Sequence, residues 1–257
     1  MSCLVCPLDR SGLRASGQEL VCARQGHACA LRDGIPSFLP PADCRWDEYH
    51  LDRYGVDPLP PHPYYRRFTL GCERLLDVGS GDGVMSAASA PWAKQIFCLN
   101  PGLSALSALR RRGFPNMYPV HCYGEQTPFA EEFFDGVLSV FVIEHLADPR
   151  PMLQEMWRVL KPQGRLIMAT DTAFYYRYLR PLLSYWHSRE WKRNDPTHIH
   201  MMSPAGLRAV LRRSQFEIVE EDIHFSTGRT RRLLGWLPHF LYERWLTSMS
   251  VFVCRKR

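Results

Sequence analysis

The segment with the clearest chemical character is Asp77–Gly83, which reads Asp-Val-Gly-Ser-Gly-Asp-Gly. Its glycines have no Cβ, so the backbone can come closer to a ligand than at other residues. The third glycine stands one residue earlier than in the G-x-G-x-x-G pattern of dinucleotide-binding loops. The flanking carboxylates disfavour a pyrophosphate and suit a ligand that carries an ammonium group. The sequence therefore predicts a small-molecule loop rather than a tight turn without a ligand, with contacts from Asp77, Gly79, Ser80 and Gly81.

Three histidines are candidates for acid-base chemistry. His145 follows Glu144, and His198 and His200 alternate around Ile199. On an extended segment the two later histidines would face one side. Because imidazole titrates near neutral pH, each of the three is a candidate general base. The structural alternatives are that His145 caps a helix and that His198 and His200 bond a loop to the core.

The first residues contain a cysteine pattern typical of metal binding. Cys3 and Cys6 are separated by two residues, and a second group of candidate ligands follows at Cys22, His27 and Cys29. Two such groups suit a tetrahedral zinc ion, with either His27 or Cys29 as the fourth ligand. The alternative is a ribbon that packs without metal. The chain has 9 cysteines and lacks the basic and apolar start of a signal peptide, so we expect reduced thiols and a cytoplasmic location.

An α/β architecture is needed to position the glycine loop. Residues 74–78 are predicted to form a buried strand, and the alanine-rich residues from Val84 onward a helix packed against it. Ligands bind at the carboxyl ends of strands in such sheets. Further strands are predicted at 95–99, 117–121, 137–140, 166–170, 217–225 and 249–255, and helices at 103–112, at 148–160 and from about Ser203.

These motifs resemble the class I S-adenosylmethionine-dependent methyltransferases, and specifically the type 11 methyltransferase domain. The shared features are the acid followed by G-x-G-x-G, the segment 141–146, and Arg158-Val-Leu-Lys-Pro162, which resembles the family turn R-V-L-K-P-G-G. The resemblance implies a Rossmann-like seven-stranded sheet with helices on both faces, and S-adenosylmethionine as the cofactor. It also implies further cofactor contacts at Asn100, Pro101, Tyr123, Gly124, Glu125 and Val140.

Two of these positions depart from the family pattern. Asn100 replaces the acid that usually binds the ribose hydroxyls, and Tyr123 stands where an acid usually contacts the adenine amine. Some small-molecule and small-RNA methyltransferases also carry E-x-x-E-H at the position of 141–145 and hold a divalent metal there. Phe141 replaces the first carboxylate here, so the sequence predicts no catalytic metal.

Residues 33–40 resemble a segment that follows a short zinc-ribbon module in bacterial methyltransferases. That module also begins the large-subunit ribosomal RNA guanine methyltransferases. The resemblance predicts a zinc-ribbon-like module at 1–40, a linker and cofactor-covering segment at 41–70, and a methyltransferase domain at 71–257. Insertions are expected at 173–200 and 226–247, both rich in aromatic and basic residues.

The predicted activity is methyl transfer to a small-molecule or lipid- or saccharide-linked acceptor. Two alternatives remain open: an RNA methyltransferase, suggested by the ribbon and the basic segments, and a catalytically weak cofactor-binding partner protein. No apolar run of about 18 residues occurs, which argues against a membrane span. The net charge of +6 permits an acidic partner. The basic and aromatic insertion at 226–247 suits peripheral contact with a membrane surface or an anionic partner; the alternatives are that it packs on the domain or forms a homodimer contact.

Overall fold

The computed structural model describes the residues 4–40, 46, 67, 69–173, 177–178, 196–225 and 247–257. Cys3, most of the predicted segment 41–70 and most of both predicted insertions lie outside these residues. No helix among the residues so described is long and apolar enough to cross a membrane.

The described residues contain eleven strands, whereas the sequence predicted seven. They are β1 Leu13–Ser16, β2 Glu19–Cys22, β3 Ala28–Arg32, β4 Ile35–Ser37, β5 Cys72–Val78, β6 Ala93–Asn100, β7 Met117–His121, β8 Phe134–Val140, β9 Leu160–Asp171, β10 Phe216–Phe225 and β11 Thr247–Lys256. The helices are α1 Val84–Ser89, α2 Leu103–Arg111, α3 Arg150–Val159 and α4 Pro204–Arg213, with a short 3-10 helix at Ile143–His145. Four of these strands, β1–β4, come from the first 40 residues, so the sheet is larger than the expected seven strands.

The chain divides into two compact units, and unit 1 comprises Met1–Leu138, Pro151–Arg165 and Lys256. Its strands follow the order β1-β2-β3-β4-β7-β6-β5-β8. The first four strands pair antiparallel, and β5, β6 and β7 pair parallel. The two sets meet where β4 runs parallel to β7, with Ser37 opposite His121. The N-terminal strands therefore extend the sheet of unit 1.

The central strand β5 shows why this region folds as a parallel sheet. Its last four residues, Leu75–Val78, are all buried. Parallel strands that are covered on both faces have such continuous burial rather than alternation. The loop after β5 therefore begins at the end of a strand held firmly by both neighbours.

Unit 2 comprises Ser139–Arg150, Leu166–Arg255 and Arg257. Its strand order is β8-β9-β11-β10. Helix α4 is capped by Ser203, whose side-chain oxygen accepts a hydrogen bond from the backbone N–H of Gly206 at 3.1 Å. This cap and the proline at the first helical position are typical helix starts. The structure thus begins α4 where the sequence predicted it.

Candidate functional site

The glycine loop of unit 1 is fixed by backbone hydrogen bonds to the neighbouring strand. The N–H groups of Gly79 and Ser80 both donate to the carbonyl oxygen of Leu99, at 2.8 and 3.0 Å. Gly79, Gly81 and Gly83 have φ values of 75°, 55° and 80°. Residues with a Cβ rarely adopt these angles, so the path of the loop depends on glycine.

The glycines of the loop have different roles. A Cβ on Gly83 would lie 2.3 Å from Cδ1 of Leu109, so this glycine allows helix α2 to pack against the loop. A Cβ on Gly81 would meet no atom of the described residues within 4 Å. The hydroxyl oxygen of Ser80 is buried and has no hydrogen-bond partner among the described residues. Open space at Gly81 and an unsatisfied hydroxyl beside it are the features expected where a polar ligand binds.

The two acids of the loop are held by protein groups. Asp77 is 2% exposed and accepts a hydrogen bond of 2.5 Å from the hydroxyl of Ser86 in α1. Burial raises the pKa of Asp77 to about 7, and the bond from Ser86 opposes this shift. Asp82 forms an ion pair with Arg112 at 2.6 Å. The structure therefore gives both carboxylates roles in fastening the loop to helices, besides the ligand contact predicted for Asp77.

Asn100 lies at the end of β6, next to the glycine loop. Its Oδ1 accepts a hydrogen bond from the N–H of Gly81 at 3.3 Å, and its Nδ2 donates to the carbonyl oxygen of Gly102 at 3.2 Å. The carbonyl oxygen of Pro101 lies 3.0 Å from Nε2 of the buried His121. The side-chain amide of Asn100 can make its two hydrogen bonds, to Gly81 and Gly102, because it has an acceptor and a donor. Asn100 thus connects the ends of two neighbouring strands.

The turn after β7 lies beside the end of β5. A Cβ on Gly124 would come within 2.8 Å of Cγ1 of Val78 and 3.1 Å of Cγ of Met152. Glycine is therefore needed for the turn to approach β5 so closely. This packing brings the segment that contains Tyr123 and Glu125 to the edge of the sheet that carries the glycine loop. The structure thus collects the predicted cofactor contacts of unit 1 at one edge.

In unit 2, β8 ends at the buried Val140 and is followed by an unusual phenylalanine. Phe141 has φ of 56°, and 42% of its surface is exposed. Its N–H donates to the carbonyl oxygen of Ala169 at 2.9 Å, which holds this conformation. A bulky residue at positive φ is strained, and such strain is concentrated at functional sites. In the sequence, Phe141 was notable only as the replacement for a metal ligand, since no local pattern reveals a positive φ.

Glu144 is the most deeply buried of the described acids of unit 2. None of its surface is exposed, and its Oε2 accepts a hydrogen bond from the hydroxyl of Thr170 at 2.9 Å. Burial raises the pKa of Glu144 to about 7. Glu144 was not among the functional residues that the sequence predicted. Its position directly before His145 was the available signal.

The predicted histidines converge in part. The rings of His145 and His198 lie with their centroids 4.6 Å apart, and a carboxylate oxygen of Glu144 lies close to both. His200 instead bonds the loop: its N–H donates to the carbonyl oxygen of Glu144 at 2.9 Å, and its Nδ1 lies 3.2 Å from that of Ala147. His198 and His200, which were expected to face one side of an extended segment, therefore have different partners.

Three of the predicted zinc ligands meet in the N-terminal strands. The ligand atoms of Cys6, Cys22 and His27 all lie within 4.8 Å of one another. The hydroxyl of Ser11, 3.0 Å from Sγ of Cys22, and the N–H of Gln25, at 3.3 Å, lower the pKa of that thiol. A thiolate that accepts such bonds is suited to zinc. Burial raises the pKa of the thiol of Cys29, which does not belong to this group.

Comparison with known proteins now identifies the central segment. Residues 76–168 match the family model of a methyltransferase domain. This part of the chain is similar to a methyltransferase domain. It begins within β5 and ends within β9, so it contains the glycine loop, Asn100, the turn after β7 and the Glu144–His145 pair.

Two curated relatives and one solved structure agree with this domain. The chain is 35% identical over 98 residues to a demethylmenaquinone methyltransferase of Clavibacter sepedonicus, covering 37% of this chain and 40% of the relative. It is 30% identical over 121 residues to the ubiquinone/menaquinone biosynthesis C-methyltransferase UbiE of Pectobacterium carotovorum subsp. carotovorum, covering 42% and 48%. The chain thus spans less than half the length of these relatives. A SAM-dependent methyltransferase of Methanosarcina mazei shares the fold, with a TM-score of 0.57 and 17% identity over 77% of this chain and 99% of that one.

Proposed function

We propose that the protein is an S-adenosylmethionine-dependent methyltransferase that acts on a small-molecule acceptor. The observation that carries this proposal is the fixed glycine loop at the end of β5. Within the part of the chain that the structure describes, Gly81 faces open space and the buried hydroxyl of Ser80 has no hydrogen-bond partner. The loop lies in the segment that matches a methyltransferase domain.

The residues at this edge of unit 1 fit the cofactor chemically. The backbone at Gly81 admits a ligand at close range, and the hydroxyl of Ser80 can donate to it. Tyr123 and Glu125 flank the close turn at Gly124 and are candidates for the adenine contact. Asn100 orients the N–H of Gly81 and offers a polar amide at the end of β6. The bound cofactor would supply a methyl group on a positively charged sulfur.

The acceptor class is inferred from the relatives, whose names describe C-methylation in quinone biosynthesis. We propose a phenol- or hydroquinone-like acceptor. Its nucleophilic carbon or oxygen would form a bond to the methyl group, the methyl–sulfur bond would break, and its electron pair would remain on sulfur. The acceptor must also lose a proton, for which a general base is required. His145, His198 and His200 are the candidates in unit 2.

A structural zinc ion in the N-terminal strands is the second part of the proposal. Cys6, Cys22 and His27 would bind it together with Cys3, which the sequence predicts as the partner of Cys6 in the first ligand pair. This set of three thiolates and one imidazole is common in structural zinc sites. The N–H of Gln25 that points at Sγ of Cys22 fits a metal-bound thiolate.

The test of the activity is transfer of a labelled methyl group. The purified protein is incubated with S-adenosylmethionine labelled in the methyl group and with a polyprenylated hydroquinone lacking one ring methyl. We expect label in the organic extract, dependent on the wild-type protein and strongly reduced in Gly81→Ala. Label in added RNA instead of the extract would contradict the proposed acceptor class, and no labelled product with either would contradict the methyl-transfer activity.

A further inference from the structure

Three side chains of unit 2 bring metal-binding atoms together. A carboxylate oxygen of Glu144 and ring nitrogens of His145 and His198 all lie within 4.8 Å of one another. An ion with bonds of about 2.1 Å would hold such atoms roughly 3–4 Å apart, so small side-chain rotations would close the site. We propose that Glu144, His145 and His198 form a binding site for one divalent transition-metal ion.

The surroundings of Glu144 favour a bound cation. The side chain is fully buried, and its Oε2 accepts a hydrogen bond from the hydroxyl of Thr170 at 2.9 Å. Oε1 is buried and has no hydrogen-bond partner within the described part of the chain. An unsatisfied buried carboxylate oxygen is costly, because it has lost its water without gaining a donor. A coordinated cation supplies the missing interaction.

The hydrogen bonds of His145 present the ring in a form that can bind metal. Its Nδ1 lies 3.2 Å from the carbonyl oxygen of Thr197 and 3.0 Å from the hydroxyl oxygen of the same residue. Since a carbonyl oxygen can only accept, a proton on Nδ1 makes this bond and leaves the lone pair on Nε2. Metal-binding histidines commonly donate their other N–H to a backbone carbonyl in this way.

The backbone around the cluster holds His198 opposite Glu144 and His145. The N–H of His200 donates to the carbonyl oxygen of Glu144 at 2.9 Å. Two residues further on, Met202 accepts a hydrogen bond from the N–H of Ala173 at 3.1 Å. These bonds fasten the segment that carries His198 to the turn after β8 and to the end of β9. The backbone that carries the three ligands is therefore held together before any ion binds.

The ligand types select the class of metal. Two imidazoles and one carboxylate suit zinc, iron(II) or cobalt(II), whereas magnesium and calcium prefer oxygen ligands only. Three protein ligands leave positions for water or for an oxygen atom of a substrate. The sequence predicted no metal here because Phe141 replaces a carboxylate. His198 supplies the third ligand instead, from a segment that the sequence did not connect with Glu144.

This inference does not depend on methyl transfer, and it changes the roles of two candidate bases. An imidazole nitrogen bound to a metal cannot accept a proton. His145 and His198 would then act as ligands, and His200 would remain a candidate base.

Cobalt(II) binding by the full-length protein tests the proposal without an activity assay. A thiolate site gives an intense sulfur-to-cobalt charge-transfer band, whereas a site with only nitrogen and oxygen ligands gives weaker visible bands alone. Titration with cobalt(II) should reveal one binding site whose visible bands appear without the sulfur-to-cobalt charge-transfer band; we call this the nitrogen–oxygen component. We expect its affinity to fall at least about tenfold in Glu144→Gln and His198→Ala, and to be unchanged in His200→Ala, which alters the neighbouring histidine outside the cluster.

A second measurement needs no variant. In the cobalt-loaded wild-type protein, proton NMR should show two strongly shifted exchangeable signals from the N–H groups of two coordinated imidazoles that belong to this component. A spectrum with only the thiolate component would overturn the proposal. So would a nitrogen–oxygen component that both ligand variants retain, or the absence of the shifted signals.

Discussion

The carboxyl group of Asp77 illustrates how a single residue couples the glycine loop to the fold. It is buried, it accepts one short hydrogen bond from Ser86, and it stands immediately before Val78 and the loop. Burial favours its neutral form, and this is the reason for the raised pKa of about 7. Its protonation state is therefore linked to the stability of the folded chain.

We predict that Asp77→Asn changes how stability depends on pH. The ordinary pKa of this group is 3.8 and the folded value is about 7, so the folded state binds the proton more tightly. The free energy of unfolding of the wild-type protein should therefore fall as pH rises from about 4 to about 7, and should stay at the lower level above that. Asparagine is neutral throughout, so the variant should lack this decrease.

Urea unfolding of the cofactor-free protein across this pH range measures the difference between the two chains. The plot of the free energy of unfolding against pH should be flatter for Asp77→Asn. At the upper end of the pH range the variant should therefore be more stable relative to the wild type than at the lower end. Parallel curves would mean that Asp77 keeps an ordinary pKa in the folded protein.

At the scale of elements, the packing of α2 against the glycine loop depends on Gly83. Alanine at this position would need φ near 80° and would place its Cβ 2.3 Å from Leu109. Gly113 is a matched control, because it has φ of 72° but no atom within 4 Å of a Cβ. Alanine at either position has a similar cost for adopting positive φ. We therefore expect Gly83→Ala to lower the free energy of unfolding by about 1–3 kcal/mol more than Gly113→Ala does.

Chemical denaturation of the two variants and the wild type checks this expectation. Equal destabilisation by both alanines would mean that α2 adjusts to the added methyl group. The close approach of helix and loop would then not require glycine.

The N-terminal strands are the element that zinc should stabilise. Cys22→Ser removes a ligand that the structure places with Cys6 and His27, so the purified variant should contain one equivalent of zinc less than the wild type. Cys29→Ser is the control, because Cys29 lies outside this group. Metal analysis by atomic absorption gives the counts. Loss of zinc from Cys29→Ser with retention in Cys22→Ser would reverse the assignment.

The strands and helices of the segment that matches a methyltransferase domain were largely predictable from local sequence. Strand β7 has the bounds that the sequence predicted, because its apolar residues lie between turn-forming segments. The pairing of β4 with β7 was not predictable. It depends on contacts such as the 2.8 Å hydrogen bond between Ser37 and His121, 84 residues apart. No local periodicity carries that information.

The candidate site shows the same division. Gly79, Gly81 and Asn100 could be identified because a family motif fixes their spacing along one stretch of chain. The position of His198 beside Glu144 and His145 could not, since it depends on the path of the segment from β9 to α4. The strained Phe141 was missed for a related reason, because its φ is set by the hydrogen bond to Ala169 rather than by its own preference.

At the scale of the whole molecule, the account rests on the glycine loop as the site of S-adenosylmethionine. Calorimetric titration of the full chain with S-adenosylhomocysteine, the product form of the cofactor, tests this most directly. The matched variants are Gly81→Ala, whose Cβ would enter the open space of the loop, and Gly113→Ala, whose φ is also positive. We predict saturable binding at one site in the wild type and in Gly113→Ala, and affinity at least about tenfold weaker in Gly81→Ala. No binding by the wild type, or equal binding by all three chains, would contradict the account.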